Sequence, residues 1–164
     1  MTPRLWQSPA RGDPVRARSG WRWGNVPLPE TYLVGLGAGL LLQAVAPWRP
    51  PWPAGAGRAV GWPLLLAGLG LAALAVRAAA EVRLERPDRL IRRGPYALSR
   101  NPMYVASAAV YLGIALAAGA AWPLLLLPGV LAATHVVVVR EERSLEARFG
   151  ATYRSYRSSV RRYL

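Results

Sequence analysis

Charged and apolar positions are segregated along this chain rather than interleaved. Residues 31–48 and 59–76 are two runs of 18 residues without a charged side chain, and residues 101–139 form a third of 39. Eighteen helical residues rise about 27 Å, close to the roughly 30 Å of a bilayer's hydrocarbon core. The third run is about twice one crossing, and Gly119-Ala-Ala-Trp-Pro123 near its middle supplies turn residues and an interfacial aromatic. The pattern predicts an all-α polytopic membrane protein with four transmembrane helices, at about 30–47, 59–77, 102–119 and 122–140, arranged as two hairpins. The Leu/Ala/Gly/Val runs have neither the alternation nor the turn spacing of a membrane β-barrel.

Beyond the fourth apolar run, Leu145, Phe149, Tyr153, Tyr156 and Val160 recur at three- and four-residue spacing with arginines between them. That is an amphipathic cytoplasmic C-terminal helix over about 141–161, interrupted or ended near Gly150. Its tyrosines either anchor it to lipid or line a pocket over the helix ends. Gly35-Leu-Gly37-Ala-Gly39 in the first run superficially resembles a dinucleotide loop, but no strand precedes it and Leu40 takes the third glycine's place. Small residues at this spacing let membrane helices approach closely. Gly68-Leu-Gly70 does the same, or leaves room for a ligand.

Composition fixes the orientation. The net charge is +13 and every basic residue is arginine; five precede the first span, seven lie between Arg77 and Arg100, and seven follow the fourth span, while the other two loops hold two and none. The positive-inside rule therefore predicts that both termini face the cytoplasm. Residues 1–26 read as a flexible basic cytoplasmic tail resting on anionic lipid, where each arginine gains about 1 kcal/mol. That tail has no apolar stretch of its own and is not a signal peptide. Membrane lipids thus account for the positive charge, and nucleic acid is not among the expected partners. Residues 27–164 form the membrane domain, in which Arg77 to Arg86 make a charged helical extension of the second span, ended by Pro87-Asp88. With no cysteine and a single histidine, the chain has no disulfide, thiolate nucleophile or metal site. All-arginine usage with abundant alanine suggests a GC-rich bacterial genome, hence a bacterial cytoplasmic (inner) membrane. The oligomeric state is left open.

Candidate chemistry lies where charge meets membrane. Gly94-Pro95 marks a turn before the third span. In Ser99-Arg-Asn-Pro-Met-Tyr104, Asn101 suits an N-cap and Pro102 the first helical position. The free amides and positive dipole end there, with Arg100 beside them, make an anion-binding corner. Glu141 and Glu142 end the fourth span, where they oppose its negative dipole end and repel one another, so a cation must compensate them. Arg140 and Arg143 supply it, or a bound cation does. His135 lies two turns deeper on nearly the same face, as a buried histidine bonded to a neighbouring helix or as a ligand contact.

Taken together, Arg93-Gly-Pro-Tyr96, Ser99-Arg-Asn-Pro-Met-Tyr104, Glu141-Glu-Arg-Ser-Leu145 and Phe149-Gly-x-x-Tyr153-x-x-Tyr156 resemble the integral-membrane methyltransferases. That superfamily includes isoprenylcysteine carboxyl methyltransferases and phospholipid N-methyltransferases, and the resemblance runs from about residue 64 to the C-terminus. It implies an S-adenosyl-L-methionine site at the cytoplasmic face. In that site Glu141 and Glu142 neutralise the ammonium and sulfonium, the helix start at Asn101, Pro102 and Tyr104 with Arg100 binds the carboxylate, and Gly94, Tyr96 and Tyr104 help enclose the adenine. It further implies a lipophilic small-molecule or lipid acceptor bearing an amine, carboxylate or thiol. Arg157 or Arg154 would orient an acidic acceptor, and Glu142 or His135 would take a proton. Carboxyl methyltransferases usually show histidine where this chain has Asn101, whereas phospholipid enzymes often show Asn-Pro-Met-Tyr, which leans towards a lipid amine. Two other readings stay open: an NADPH-dependent membrane reductase resembling sterol reductases, and a non-catalytic membrane scaffold.

Overall fold

The computed structural model describes residues 29–79 and 90–164. The expected basic tail at 1–26 lies outside these residues, as does the charged extension beyond Ala79. Five α-helices form: α1 (Glu30–Val45), α2 (Ala54–Ala79), α3 (Pro102–Ala118), α4 (Ala121–Phe149) and α5 (Ala151–Ser159), with a 3₁₀ turn at Gly94–Ala97 before α3. Among the described residues there is no strand, only an isolated parallel bridge between Ser99 and Arg161.

Among the described residues two helices, α2 and α4, are long and apolar enough to cross a membrane. Their 26 and 29 residues rise about 39 and 44 Å. The apolar helices α1 and α3 are shorter, at 16 and 17 residues, or about 24 and 26 Å. No break in the helix marks the expected boundary between a fourth span and a tail helix near residue 140. Helix α4 runs unbroken from the valines that end at Val139 through Glu141 and Glu142 to Phe149, because residues 140–148, of Arg, Glu, Leu and Ala, are good helix formers apart from Ser144. The break comes at Gly150, whose φ of 51° suits glycine, and the short α5 follows.

Packing departs from chain order as well. The principal pairings are α2 with α3 and α1 with α4, joined by the α3–α4 hairpin, so the expected two-hairpin arrangement describes connectivity rather than contact. Glycine placement explains the pairing. A Cβ on Gly61 would sit 2.5 Å from the Ala117 amide nitrogen and 2.8 Å from the Gly113 carbonyl, and one on Gly113 would sit 2.6 Å from the Leu65 nitrogen. Gly35 faces Val130 and Gly39 faces Pro123, while Gly37 and Gly70 face open space. Gly68 lies against α3, where a Cβ would be 2.9 Å from the Ala106 carbonyl, leaving no room for a ligand there. Within lipid, such backbone proximity supplies the van der Waals contact that drives association. Gly61→Leu is therefore expected to separate α2 from α3 and lower the thermal midpoint in detergent, since overpacking costs about 1–3 kcal/mol even where side chains can yield. Gly70→Leu should leave the midpoint unchanged, and equal losses in the two variants would contradict this account.

The hairpin end carries aromatic contacts. Trp122 Nε1 donates to the Ala46 carbonyl at 2.7 Å, the Ala121 amide donates to the Trp48 carbonyl at 3.1 Å, and the two indoles meet edge to face at 5.7 Å. Mid-bundle, Tyr32, Tyr111 and Val130 form the core, with the Tyr111 hydroxyl donating to the Pro123 carbonyl at 2.9 Å. Leu33, Val34, Leu41, Val60, Leu66 and Leu74 remain exposed on the outside, an apolar surface suited to lipid. The starts of α1 and α3, the polar end of α4, α5 and residues 90–100 gather at the opposite end.

Candidate functional site

Two neighbouring glutamates at that end have different surroundings. Glu142 is buried, 6% exposed, and its carboxylate is saturated. Arg162 Nη2 lies 3.0 Å and Nε 3.1 Å from Oε2, Arg100 Nη1 lies 3.4 Å from Oε1, and Asn101 Nδ2 donates to Oε1 at 3.2 Å. Asn101 Nδ2 also donates to the Arg162 carbonyl at 3.1 Å, so both its partners are acceptors and the amide orientation follows. The chain after α5 lies beside residues 99–101, where the Arg100 amide donates to the Arg161 carbonyl at 2.9 Å.

Three expectations change here. The cations that compensate Glu142 are Arg100 and Arg162, not the exposed Arg140 and Arg143. Asn101 is the residue before α3, with Pro102 buried at the first helical position, yet its side chain makes no capping bond: tertiary contact turns the amide to Glu142 instead. Arg100 points at Glu142 and its side chain is 8% exposed, rather than standing open beside the amides of α3. Arg100 Nε and the Tyr153 hydroxyl are buried without a hydrogen-bond partner among the described residues.

Glu141 faces the other way. Its Oε1 accepts from the Tyr104 hydroxyl at 2.8 Å, and among the described residues it makes no ion pair. Glu141 is exposed as a residue, yet the atoms packed around its carboxyl push the pKa up, opposed by the Tyr104 hydrogen bond. Tyr96 stands nearby, its hydroxyl pushed up to about 12 first by burial and then by the Glu141 charge. Gly94 opens the 3₁₀ turn with a φ of 59° and brings it against Ala78 of α2, which sets Tyr96 in place.

Helix α5 turns its tyrosines inward. Tyr153 and Tyr156 are buried, the Tyr156 hydroxyl donates to the Tyr96 carbonyl at 2.6 Å, and the Arg92 guanidinium sits 5.6 Å over the Tyr156 ring. Both tyrosines are thus packed inside the protein, not free to anchor in lipid, and neither is among the residues that bound the cleft inward of Glu141. Arg157 pairs with Glu146 at 3.1 Å on the exposed face, and Arg154 is likewise exposed.

Inward of Glu141 lies a mainly apolar cleft of about 480 Å³, bounded by Tyr32 of α1, Tyr104 of α3, Leu131, Thr134 and His135 of α4, and Tyr163. His135 is exposed into this opening rather than buried, and its Nδ1 lies 3.0 Å from the Tyr163 hydroxyl, a partner on the tail and not on a neighbouring helix. The structure thus groups Tyr96, Tyr104 and Glu141, of which Tyr104 also bounds the cleft, places Arg100, Asn101 and Glu142 in the buried cluster, sets His135 in the cleft wall, and leaves Arg157 outside. Sequence reasoning missed Tyr32, Arg162 and Tyr163. Tyr32 is a polar-tipped residue within an apolar run, and Arg162-Tyr163 follow the point where the amphipathic period ends.

The phospholipid methyltransferase family model matches residues 58–152, from the first turns of α2 to the start of α5. No curated protein and no solved structure matches the chain. The matched segment holds Arg100 to Tyr104, His135, Glu141 and Glu142, and excludes α1 and the tail from Tyr153 onward.

Proposed function

Because this chain belongs to the phospholipid methyltransferase family, we propose that it is a membrane enzyme using S-adenosyl-L-methionine to methylate a lipophilic acceptor, a lipid amine above all. The observation that carries this reading is Glu141: a carboxylate among packed atoms, next to Tyr96 and Tyr104, with no cation of the described chain against it. The donor set fits the cofactor. Glu141 would neutralise its cationic end, and the tyrosines offer flat apolar surface for the adenine. When bound, S-adenosyl-L-methionine supplies an already activated methyl group.

The chain's own residues orient and exclude. Glu142, Arg100, Asn101 and Arg162 hold the end of α4, the start of α3 and the tail in one rigid unit, which fixes Glu141 and Tyr104 relative to the cleft. Positioning of this kind, with water kept out by the apolar wall, supplies much of the rate where no protein nucleophile is required. In this reading Glu142 is structural, because both of its carboxylate oxygens are engaged by Arg100, Asn101 and Arg162. The acceptor enters from the bilayer and the cofactor from the cytoplasm. All four apolar helices cross a bacterial inner membrane, with both termini cytoplasmic.

Calorimetry of the purified full chain in detergent tests this. S-adenosyl-L-methionine is expected to bind and NADPH to give no heat. Stabilisation by NADPH alone would favour the reductase, and binding of neither would favour a scaffold.

A further inference from the structure

The cleft has one wall whose chemistry the reading above leaves unused. His135, the chain's single histidine, sits 3.0 Å from the Tyr163 hydroxyl, and both side chains line the opening. Neither carboxylate nearby is placed to take a proton there. Glu142 is occupied by Arg100 and Arg162, and Glu141 is bonded to Tyr104, facing the proposed cationic cofactor.

The direction of the hydrogen bond follows from chemistry. Among the described residues no other side chain hydrogen-bonds to Tyr163, and its surroundings include Val105, Ala108 and Leu131. A phenol is a better donor than an imidazole N–H, and an imidazole nitrogen is a better acceptor than a phenol oxygen, so Tyr163 donates to Nδ1. The Tyr163 oxygen keeps lone pairs for a third group. The other titratable groups around the pair are Tyr32 on α1, Tyr104 on α3, and Glu142 and Arg162 of the buried cluster.

We propose that Tyr163 and His135 form a two-residue relay that removes the proton an amine acceptor gives up on methylation; this rests on the methyltransferase reading above. The N–H bond of the methylated ammonium breaks and its proton passes to the Tyr163 oxygen, while the Tyr163 proton moves to His135 Nδ1. The products of the step are a neutral amine, a neutral tyrosine and an imidazolium. Tyr163 lies outside the family-matched segment, so the relay is supplied by this chain's own tail.

The test uses the full chain in detergent with ¹⁵N-labelled histidine. A single histidine gives one Nδ1 and one Nε2 resonance, and Tyr163→Phe is expected to move Nδ1 while Nε2 remains protonated. In steady-state assays with an amine acceptor, Tyr163→Phe and His135→Gln should each lower kcat by about 10²-fold or more with the KM for S-adenosyl-L-methionine unchanged. The double variant should be no slower than the slower single one, since the two residues act as a unit. Multiplying losses, or an imidazole spectrum unmoved by Tyr163→Phe in an active protein, would overturn the relay alone. A wild-type protein that methylates no amine would overturn the functional reading and the relay with it.

Discussion

Glu142→Ala is expected to cost about 3–5 kcal/mol, because it leaves the nearly buried guanidinium of Arg100 with neither counter-ion nor solvent. The loss should be local at first: Arg162 and Asn101 lose their common acceptor, and the tail parts from the starts of α3 and the 3₁₀ turn. A lowered thermal midpoint, together with new tryptic cleavage among the arginines after Gly150, is the expected result. A midpoint unchanged from wild type would contradict the geometry. Arg157→Ala provides the contrast, since it breaks only the exposed pair with Glu146, an interaction worth less than about 1 kcal/mol.

Glu141→Gln should behave in the opposite manner, sparing the fold and disabling binding. Glutamine can still accept the Tyr104 hydrogen bond, so the thermal midpoint without ligand should hold. The affinity for S-adenosyl-L-methionine should fall by about 10- to 10²-fold, the size of a lost charge-assisted contact. Acidity offers a second readout. Burial raises the Glu141 carboxyl above the ordinary carboxylate range, and only the ionised form attracts a cation. Affinity should therefore weaken as pH falls through that raised value, beginning at a higher pH than for a glutamate with an ordinary pKa, while Glu141→Gln shows no such dependence. Titration calorimetry across this range checks both, and wild-type affinity in the variant would remove the main support for the proposed cofactor site.

The two glutamates also show where sequence reading stops. Adjacent carboxylates at a helix end announce a need for positive charge, and the pattern identifies that need correctly. It cannot identify the suppliers. Arg100 and Arg162 lie 42 and 20 positions away in sequence, while the nearer Arg140 and Arg143 point outward. Helix identity was legible because a bilayer forces the backbone to satisfy itself, so uncharged runs become helices. The end of α4 was not, because the loss of hydrophobicity after Val139 changes the side chains without ending the helix. Helix pairing depended on which glycines face a neighbour: Gly35 and Gly39 do, and Gly37 does not, although all three occupy one motif. Asn101 follows a local capping rule until a buried carboxylate competes for its amide.

Three members of the buried cluster occur in the chain in the order Arg100, Glu142, Arg162, and synthesis proceeds in that order. When the α3–α4 hairpin forms, Arg100 is already in place to pair with Glu142. Arg162 arrives later, adds the second positive charge and carries Tyr163 to His135. A nascent chain halted between Glu142 and Arg162 would thus have the Arg100–Glu142 pair but an unfinished cleft, one wall of which, Tyr163, arrives only with the tail.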